Sequence, residues 1–193
     1  MVTQDTIDAL KAGEPGALDR FYREHAKQVL SWVIRLGGPR SNAEDLAHEV
    51  FALALRKMHT FRGEASLTTW LYAITRNVVS NARRKAAVWR FVGLGEDTDS
   101  LPSRGELPDE EIARLRRRRL VQRALERMKD PQREVLVLCD MEGRAAPEVG
   151  DILSIPPGTV YSRLHYARKQ FAKALQQEKL IAQNQRRPVE GVG

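Results

Sequence analysis

A stretch in the first half of the chain carries side chains suited to contact with nucleic acid. Its buried stripe is predicted by four apolar residues at helical spacing: Leu67, Leu71, Ile74 and Val78. A neighbouring row combines a ring, amides and a guanidinium group: Trp70, Asn77, Asn81 and Arg84. Rings stack on bases, amides read base edges and arginine neutralises phosphate. The helix therefore presents a candidate nucleic-acid face.

A second candidate lies nearer the C-terminus and has the layout of a helix-turn-helix. Residues 148–153 and 159–164 form two short amphipathic segments around the turn Ser154-Ile155-Pro156-Pro157-Gly158. The spacing places Val160, Leu164 and Ala167 inward. The residues left outward on the second helix are Tyr161, Ser162, His165, Arg168 and Lys169. A recognition helix presents such side chains to the major groove, although the same pattern also occurs in folds that never touch DNA.

Composition narrows the class of protein. The 193 residues carry a formal net charge of +7 and a pI near 9.8, which favours an acidic partner such as nucleic acid. The single cysteine, Cys139, excludes an intramolecular disulfide and a cysteine-rich zinc site. The four histidines are scattered, and no nucleophile–base pair or phosphate loop is evident. We therefore predict no cofactor, no metal and no enzymatic activity.

The chain is predicted to be all-α, with two small helical domains joined by an acidic flexible linker. Residues 1–90 form the first domain, 91–108 the linker, 109–178 the second domain and 179–193 a disordered tail. The helix that starts near Glu14 is predicted to bury Leu18, Phe21, Tyr22 and Val29. No apolar run reaches membrane-spanning length and the N-terminus lacks a signal-peptide layout, which predicts a cytoplasmic protein.

The order of several short phrases resembles the sigma-70 family in its extracytoplasmic-function form. The phrases that match region 2 are Glu44-Asp45-Leu46, Glu49-Val50-Phe51, Phe61-Arg62-Gly63-Glu64, Thr69-Trp70-Leu71-Tyr72-Ala73-Ile74 and Arg76-Asn77. Those that match region 4 are Gly158-Thr159-Val160, Ser162-Arg163-Leu164 and Ala167-Arg168. The resemblance implies a sigma factor that binds core RNA polymerase and directs it to promoter DNA, with an anti-sigma factor as a further partner.

The resemblance also implies a role for particular residues. The minus-10 element would contact Trp70, Arg76, Asn77, Arg83 and Arg84, with Asn77 at the pocket for a flipped base. The minus-35 element would contact Thr159, Tyr161, Ser162, Arg163, His165, Tyr166 and Arg168. Core polymerase would contact Asp45, His48 and Glu49. His48, Tyr161, His165 and Tyr166 depart from the family pattern, which usually has glutamine in place of His48, so the promoter sequence cannot be borrowed from a relative.

Two alternatives remain open at this stage. The first is a helix-turn-helix transcriptional regulator that acts without polymerase binding, with the N-terminal helices as a sensor or dimer domain. The second is an interaction protein whose N-terminal bundle mainly recruits a regulator such as an anti-sigma factor. In the sigma-factor interpretation the protein stays in the cytoplasm, with a membrane-held anti-sigma partner as one route to the membrane surface.

Overall fold

The fold is helical throughout the described part of the chain. The computed structural model describes residues 4–37, 42–63, 65–91 and 108–184, and these ranges contain helices and turns without any strand. The all-α prediction is therefore confirmed. Two compact units are present, the first containing the described residues up to 91 and the second those from 108. Most of the predicted acidic linker falls on residues 92–107, outside the described residues.

The first unit is built on three long helices. A short helix α1 (Gln4–Ala12) precedes α2 (Ala17–Arg35), α3 (Ala43–Lys57) and α4 (Leu67–Phe91), and a 3-10 turn (Met58–Thr60) follows α3. Helices α2, α3 and α4 pack against one another. Lys11 at the end of α1 donates a 2.9 Å hydrogen bond to the carbonyl oxygen of Phe61, which ties α1 to the turn before α4.

Aromatic rings fill the core of the first unit. Phe21 of α2 and Phe51 of α3 meet edge to face with centroids 5.6 Å apart. Trp32 of α2 and Tyr72 of α4 meet in the same way at 5.2 Å, and both are almost completely buried. Edge-to-face pairs place the positive ring edge against the negative face, which adds to the hydrophobic gain from burial. These pairs hold the helix that carries the first candidate face.

The buried face of α2 differs from the predicted one by about one residue. Phe21 and Val29 are buried as expected, but Leu18 and Tyr22 are exposed, with 50% and 37% of their surface accessible. Ala17 and His25 are buried instead. Successive residues in a helix point about 100° apart, so a face centred on Ala17, Phe21 and His25 leaves Leu18 and Tyr22 at the surface. The burial of Ala17 and His25 was not predicted.

The second unit contains four helices and a π-helical segment. They are α5 (Asp109–Glu126), α6 (Asp130–Leu136), the π-helical segment (Val137–Met141), α7 (Ala146–Leu153) and α8 (Pro157–Asn184). Helices α5, α6 and α7 all pack against α8. Its core is aliphatic, with Leu125, Val135, Leu138 and Val149 fully buried. Cys139 is half-buried, and desolvation by burial raises the pKa of its thiol, which suits a packing role.

Charged groups are also buried in the second unit. Arg133 of α6 is 1% exposed and donates to the carbonyl oxygens of Leu125 and Met128 and to the carboxylate of Asp130. Glu178 is 3% exposed and pairs with Arg127 at the end of α5.

The Arg127–Glu178 pair corrects one prediction. Residues 179–193 were predicted to be a disordered tail, but α8 remains helical to Asn184. A buried carboxylate requires a partner, and the pair with Arg127 fixes this turn against α5. Residues 185–193 lie outside the described part of the chain.

Candidate nucleic-acid interface

The turn before α4 fixes the start of the first candidate face. Gly63 adopts φ +76°, a left-handed conformation that favours glycine. Ser66 Oγ then accepts a 3.1 Å hydrogen bond from the backbone N–H of Thr69, and the Ser66 carbonyl accepts one of 3.0 Å from Trp70 N–H. This is the geometry of a serine N-cap, which satisfies donors that the helix itself leaves unpaired. The first turn of α4, including Trp70, is thereby held in place.

Trp70 combines a packed side with an accessible side. Its ring lies 5.2 Å from that of buried Phe61, at an interplanar angle of 52°. The residue is half-buried. A ring supported in this way keeps one orientation and still offers surface to a base.

The remaining residues of the predicted minus-10 set follow along the same helix. Arg76, Asn77 and Arg84 are exposed, and Arg83 is half-buried. A rise of about 1.5 Å per residue places Trp70 and Arg84 about 21 Å apart along α4. Arg84 donates to the side-chain oxygen of Asn81, which orients its guanidinium along the surface. The structure thus gathers the whole set on one helix.

The turn between α7 and α8 requires a residue without a side chain. A Cβ at Gly150 would lie 2.7 Å from the carbonyl oxygen of Ile155, closer than real contacts allow. The backbone N–H of Ile155 donates a 2.9 Å hydrogen bond to the Gly150 carbonyl, and Ser154 takes a left-handed φ of 54°. Glycine is therefore needed at position 150 to make room for the turn. This turn sets the direction of α8.

The first turns of α8 expose the predicted minus-35 residues. Tyr161 and Tyr166 are each 62% exposed, and His165 lies edge to face with Tyr166 at 5.6 Å. Ser162 and Arg168 are exposed as well, and Thr159 and Arg163 are half-buried. Val160 and Leu164 anchor the opposite side in the core. The face is richer in rings than in cations.

Arg168 has an ion-pair partner that the sequence did not predict. Its Nε and Nη2 atoms donate to the two carboxylate oxygens of Asp140, at 2.9 and 2.7 Å. The hydrogen bonds to Asp140, followed by its negative charge, raise the pKa of Arg168 above its ordinary value. The two residues are 28 positions apart, so no local sequence pattern could have paired them.

The predicted polymerase-binding residues lie on the exposed side of α3. Asp45, His48 and Glu49 all face outward. The ring of His48 stacks on Tyr22 of α2 with an interplanar angle of 20°, and Tyr22 Oη and His48 Nε2 are 3.2 Å apart in a hydrogen bond. Tyr22 therefore belongs to this surface, and the exposed pair was missed because Tyr22 was assigned to the core.

The described residues contain neither a metal-ligand cluster nor a membrane-spanning helix. No group of three or more histidine, cysteine or acidic side chains lies close enough there to hold a metal ion. None of the helices in these ranges has both the length and the apolar character needed to cross a membrane.

Sequence families match both units. Residues 21–88 match Sigma-70 region 2, and residues 118–171 match Sigma-70 region 4. The ECF RNA polymerase sigma factor SigL of Mycobacterium tuberculosis is 30% identical over 172 residues, which cover 89% of this chain and 96% of that relative. SigE of Mycolicibacterium smegmatis, also an ECF RNA polymerase sigma factor, is 33% identical over 153 residues. That match covers 79% of this chain but only 59% of SigE.

Solved structures share the fold at low sequence identity. CnrH, solved in complex with the cytosolic domain of CnrY, superposes with a TM-score of 0.66 at 20% identity, over 89% of this chain and 96% of CnrH. The sigma factor RpoE, solved with the anti-sigma factor NepR from Bartonella quintana, gives a TM-score of 0.61 at 21% identity. The match covers 83% of this chain and 98% of RpoE. The same helical architecture is therefore found in these two proteins.

Proposed function

This chain belongs to the sigma-70 family of RNA polymerase sigma factors, in its extracytoplasmic-function form, and we propose how its two units divide the work of promoter recognition. The protein binds core RNA polymerase and directs it to promoters, where transcription starts. The family consists of sigma factors, which are not enzymes, and the polymerase makes the RNA. A regulator that acts without polymerase is not favoured, because the relatives are sigma factors over most of this chain.

We assign residues 1–90 to region 2, with α4 as the surface that captures the melted minus-10 strand. Trp70 offers a ring that packs on Phe61, and Asn77 offers an amide about two turns further along the helix. Positive charge comes from Arg76, Arg83 and Arg84. Extracting a base from the duplex costs a few kcal/mol, so stacking and hydrogen bonds must return a comparable gain. Phosphate contacts alone would hold any sequence equally, and Asn77 is the residue we assign to the flipped base.

We assign polymerase binding to the exposed edge of α3. Asp45 and Glu49 supply negative charge there, and His48 is held by Tyr22. The stack fixes the imidazole before any partner arrives, which reduces the entropy lost on binding. Because His48 Nε2 is already hydrogen-bonded to Tyr22 Oη, Nδ1 is the ring nitrogen left for a partner. The glutamine that is usual in the family would offer both an acceptor oxygen and a donor NH2 group.

We assign residues 109–178 to region 4, with the start of α8 in the major groove of the minus-35 element. The predicted contact residues Thr159, Ser162, Arg163 and Arg168 carry polar atoms, and Tyr161, His165 and Tyr166 carry rings. A major groove admits an α-helix and displays thymine methyl groups beside hydrogen-bonding edges. The exposed tyrosines favour a site in which apolar contact with thymine contributes to specificity.

We also propose an anti-sigma factor as a partner. CnrH was solved with the cytosolic domain of CnrY, and RpoE with the anti-sigma factor NepR. The present chain shares their fold, and a partner of this kind would cover surfaces that polymerase needs. In this proposal the protein works in the cytoplasm, and a membrane-bound partner is one means of holding it inactive.

One observation carries the proposal: the region 4 match coincides with a helix-turn-helix whose predicted contact face is open, in a chain that also matches region 2. Run-off transcription with bacterial core polymerase and a library of genomic promoter fragments tests it. We expect new transcripts that start at discrete sites only when the protein is added. Polymerase that neither co-purifies with the protein nor gains new start sites would overturn the proposal.

A further inference from the structure

An ion pair between Arg168 and Asp140 joins the contact face of α8 to the π-helical segment Val137–Met141. Arg168 Nε lies 2.9 Å from one carboxylate oxygen of Asp140, and Nη2 lies 2.7 Å from the other. The Arg168 side chain is 61% exposed and that of Asp140 is 31% exposed. An arginine at such a surface would otherwise sample many rotamers, so the carboxylate selects one of them.

The backbone around Asp140 is itself held firmly. Asp140 lies in the π-helical segment, whose Val137 and Leu138 are fully buried. The backbone N–H of Arg144 donates a 3.1 Å hydrogen bond to the Leu138 carbonyl, and the Arg144 guanidinium pairs with Glu142. Single π turns inside α-helices occur frequently at functional sites. The backbone that carries the Asp140 carboxylate is therefore anchored in the core.

The geometry leaves a defined part of the guanidinium available. The contact with Asp140 uses the Nε–H and one N–H of Nη2. A guanidinium has five N–H donors in a rigid plane, so the edge formed by Nη1 and the second N–H of Nη2 remains. That edge can form a second pair of parallel hydrogen bonds with a guanine or a phosphate. Asp140 thus determines where this free edge points.

We propose that Asp140 is a positioning residue for promoter recognition, which holds the free edge of Arg168 toward one acceptor in the upstream promoter element. The proposal rests on the proposed function of α8 as the recognition helix. The acceptor is a base edge or a phosphate oxygen, which share the ability to accept two parallel N–H groups. Asp140 itself touches no DNA in this arrangement.

A positioning role for Asp140 and simple electrostatics predict opposite effects of Asp140→Asn on DNA binding. A carboxylate near DNA repels phosphate, so replacement of Asp140 by asparagine would by charge alone strengthen binding to every sequence. A positioning role predicts a loss instead, because the guanidinium is then free to leave its productive rotamer. The two explanations can therefore be separated by one substitution that hardly changes the size of the side chain.

The test uses core polymerase, the full chain and promoter templates whose upstream element is randomised. Each template carries, in its transcribed part, a barcode that identifies its upstream element. Sequencing of the run-off transcripts therefore gives the preference at each base pair for the wild type, Asp140→Asn, Arg168→Ala and the double variant. If the acceptor is a base, we expect Arg168→Ala to reduce one preference about tenfold, and Asp140→Asn to reduce the same one about threefold to tenfold. If the acceptor is a phosphate, both variants lower transcription from all sequences. In either case the double variant is no worse than Arg168→Ala.

Several outcomes would overturn the proposal. They are an Asp140→Asn profile equal to that of the wild type, a uniform increase in transcription, or changes at positions that Arg168→Ala leaves alone. Asp140→Glu, which keeps the charge and lengthens the side chain, should recover part of the lost preference. Thermal unfolding followed by circular dichroism checks that each variant is folded. If the wild type itself produced no discrete start sites, the proposed function would fail, and that result is distinct from failure of the pair.

Discussion

The two units differ in where their aromatic rings lie. The first unit buries five of them in its core: Phe21, Trp32, Phe51, Phe61 and Tyr72. Among the described residues, the second unit buries none and exposes Tyr161 and Tyr166 on α8. Its buried polar residues include Arg133, Glu134 and Glu178, whereas the described first unit buries His25 and Thr75. One unit is stabilised by ring packing, and the other uses aliphatic packing with ionic contacts.

This difference suits the two proposed tasks. Capturing a melted strand needs charge and amides on a rigid helix, and the ring pairs under α4 provide the rigidity. Reading a duplex needs a face that fits a groove, and α8 can offer its tyrosines there because the core beneath is closed by smaller side chains. In the second unit, ion pairs such as Arg127–Glu178 and Arg168–Asp140 link α8 to its neighbours.

The chain offers a separate probe for each unit. All three tryptophans, Trp32, Trp70 and Trp89, belong to the first unit, so tryptophan fluorescence reports its unfolding. The single cysteine, Cys139, belongs to the second unit and is half-buried. A thiol reagent therefore reacts with Cys139 faster when the second unit opens.

The largest effect is expected from Trp32→Ala in the first unit. The substitution removes a fully buried ring and its contact with Tyr72, which should cost about 3–5 kcal/mol of unfolding free energy. The midpoint of denaturant unfolding followed by tryptophan fluorescence should fall, and the reactivity of Cys139 should stay unchanged. Val88→Ala, at a residue that is 62% exposed, provides the control. Equal loss in both signals would contradict the idea that the two cores are separate.

A smaller but still large effect is expected from Arg133→Met in the second unit. The buried carbonyl oxygens of Leu125 and Met128 would each lose the guanidinium as a donor, although Leu125 keeps the backbone N–H of Met128, and the cost should be about 1–3 kcal/mol. Cys139 should then react faster at low denaturant, with tryptophan fluorescence unaffected. Arg118→Met, at an exposed arginine of α5, is the matched control. If Arg133→Met is as stable as the wild type, the buried arginine contributes little and the contrast between the cores is weaker than proposed.

The sequence predicted the helices better than it predicted their buried polar groups. Periodicity placed Leu67, Leu71, Ile74 and Val78 correctly, because apolar residues at helical spacing have few alternatives to burial. It failed for His25 and Arg133, since charged or titratable residues are usually exposed. Their burial depends on carbonyl groups and rings that come from elsewhere in the fold. The same limitation explains why residues after 178 were predicted to be a disordered tail, although α8 continues to Asn184.

The candidate site divides in a similar way. The residues of α4 and α8 share a face because of spacing within one helix, which a sequence displays directly. Asp140 contacts Arg168, which lies 28 positions away in the sequence, and Tyr22 contacts His48, which lies 26 positions away. Such contacts depend on how helices pack, so periodicity could not identify them. The contact roles of the site residues stay predictions until they are tested on promoter DNA.

The third prediction concerns function and contrasts α4 with α8. Asn77→Ala removes the amide proposed to hold the flipped base, and promoter opening should fall about tenfold, the equivalent of about 1.4 kcal/mol. Permanganate reactivity of unpaired thymines measures opening, and co-elution with core polymerase measures binding, which should not change. Gln177→Ala, at an exposed amide of α8, is the control. Equal loss of opening and polymerase binding would reject the assignment.

The smallest effect is expected from protonation of His25. This side chain is 7% exposed, its Nε2 atom has no hydrogen-bond partner among the described residues, and Phe21 covers it at 5.1 Å. Burial lowers its pKa from the ordinary value of 6.5, and the negative charge of Glu24 opposes that shift.

Because the folded first unit releases this proton more readily than the unfolded chain, its stability should be complete above about pH 6.5 and decrease as the pH falls below that value. Denaturant midpoints from tryptophan fluorescence at pH 7.5 and 5.5 measure the change. His25→Leu introduces an apolar side chain of similar size that does not titrate. The midpoint of this variant should therefore depend less on pH than that of the wild type. An unchanged dependence in His25→Leu would mean that other groups of the first unit account for it. Protonation of His25 would then not destabilise the core of the first unit.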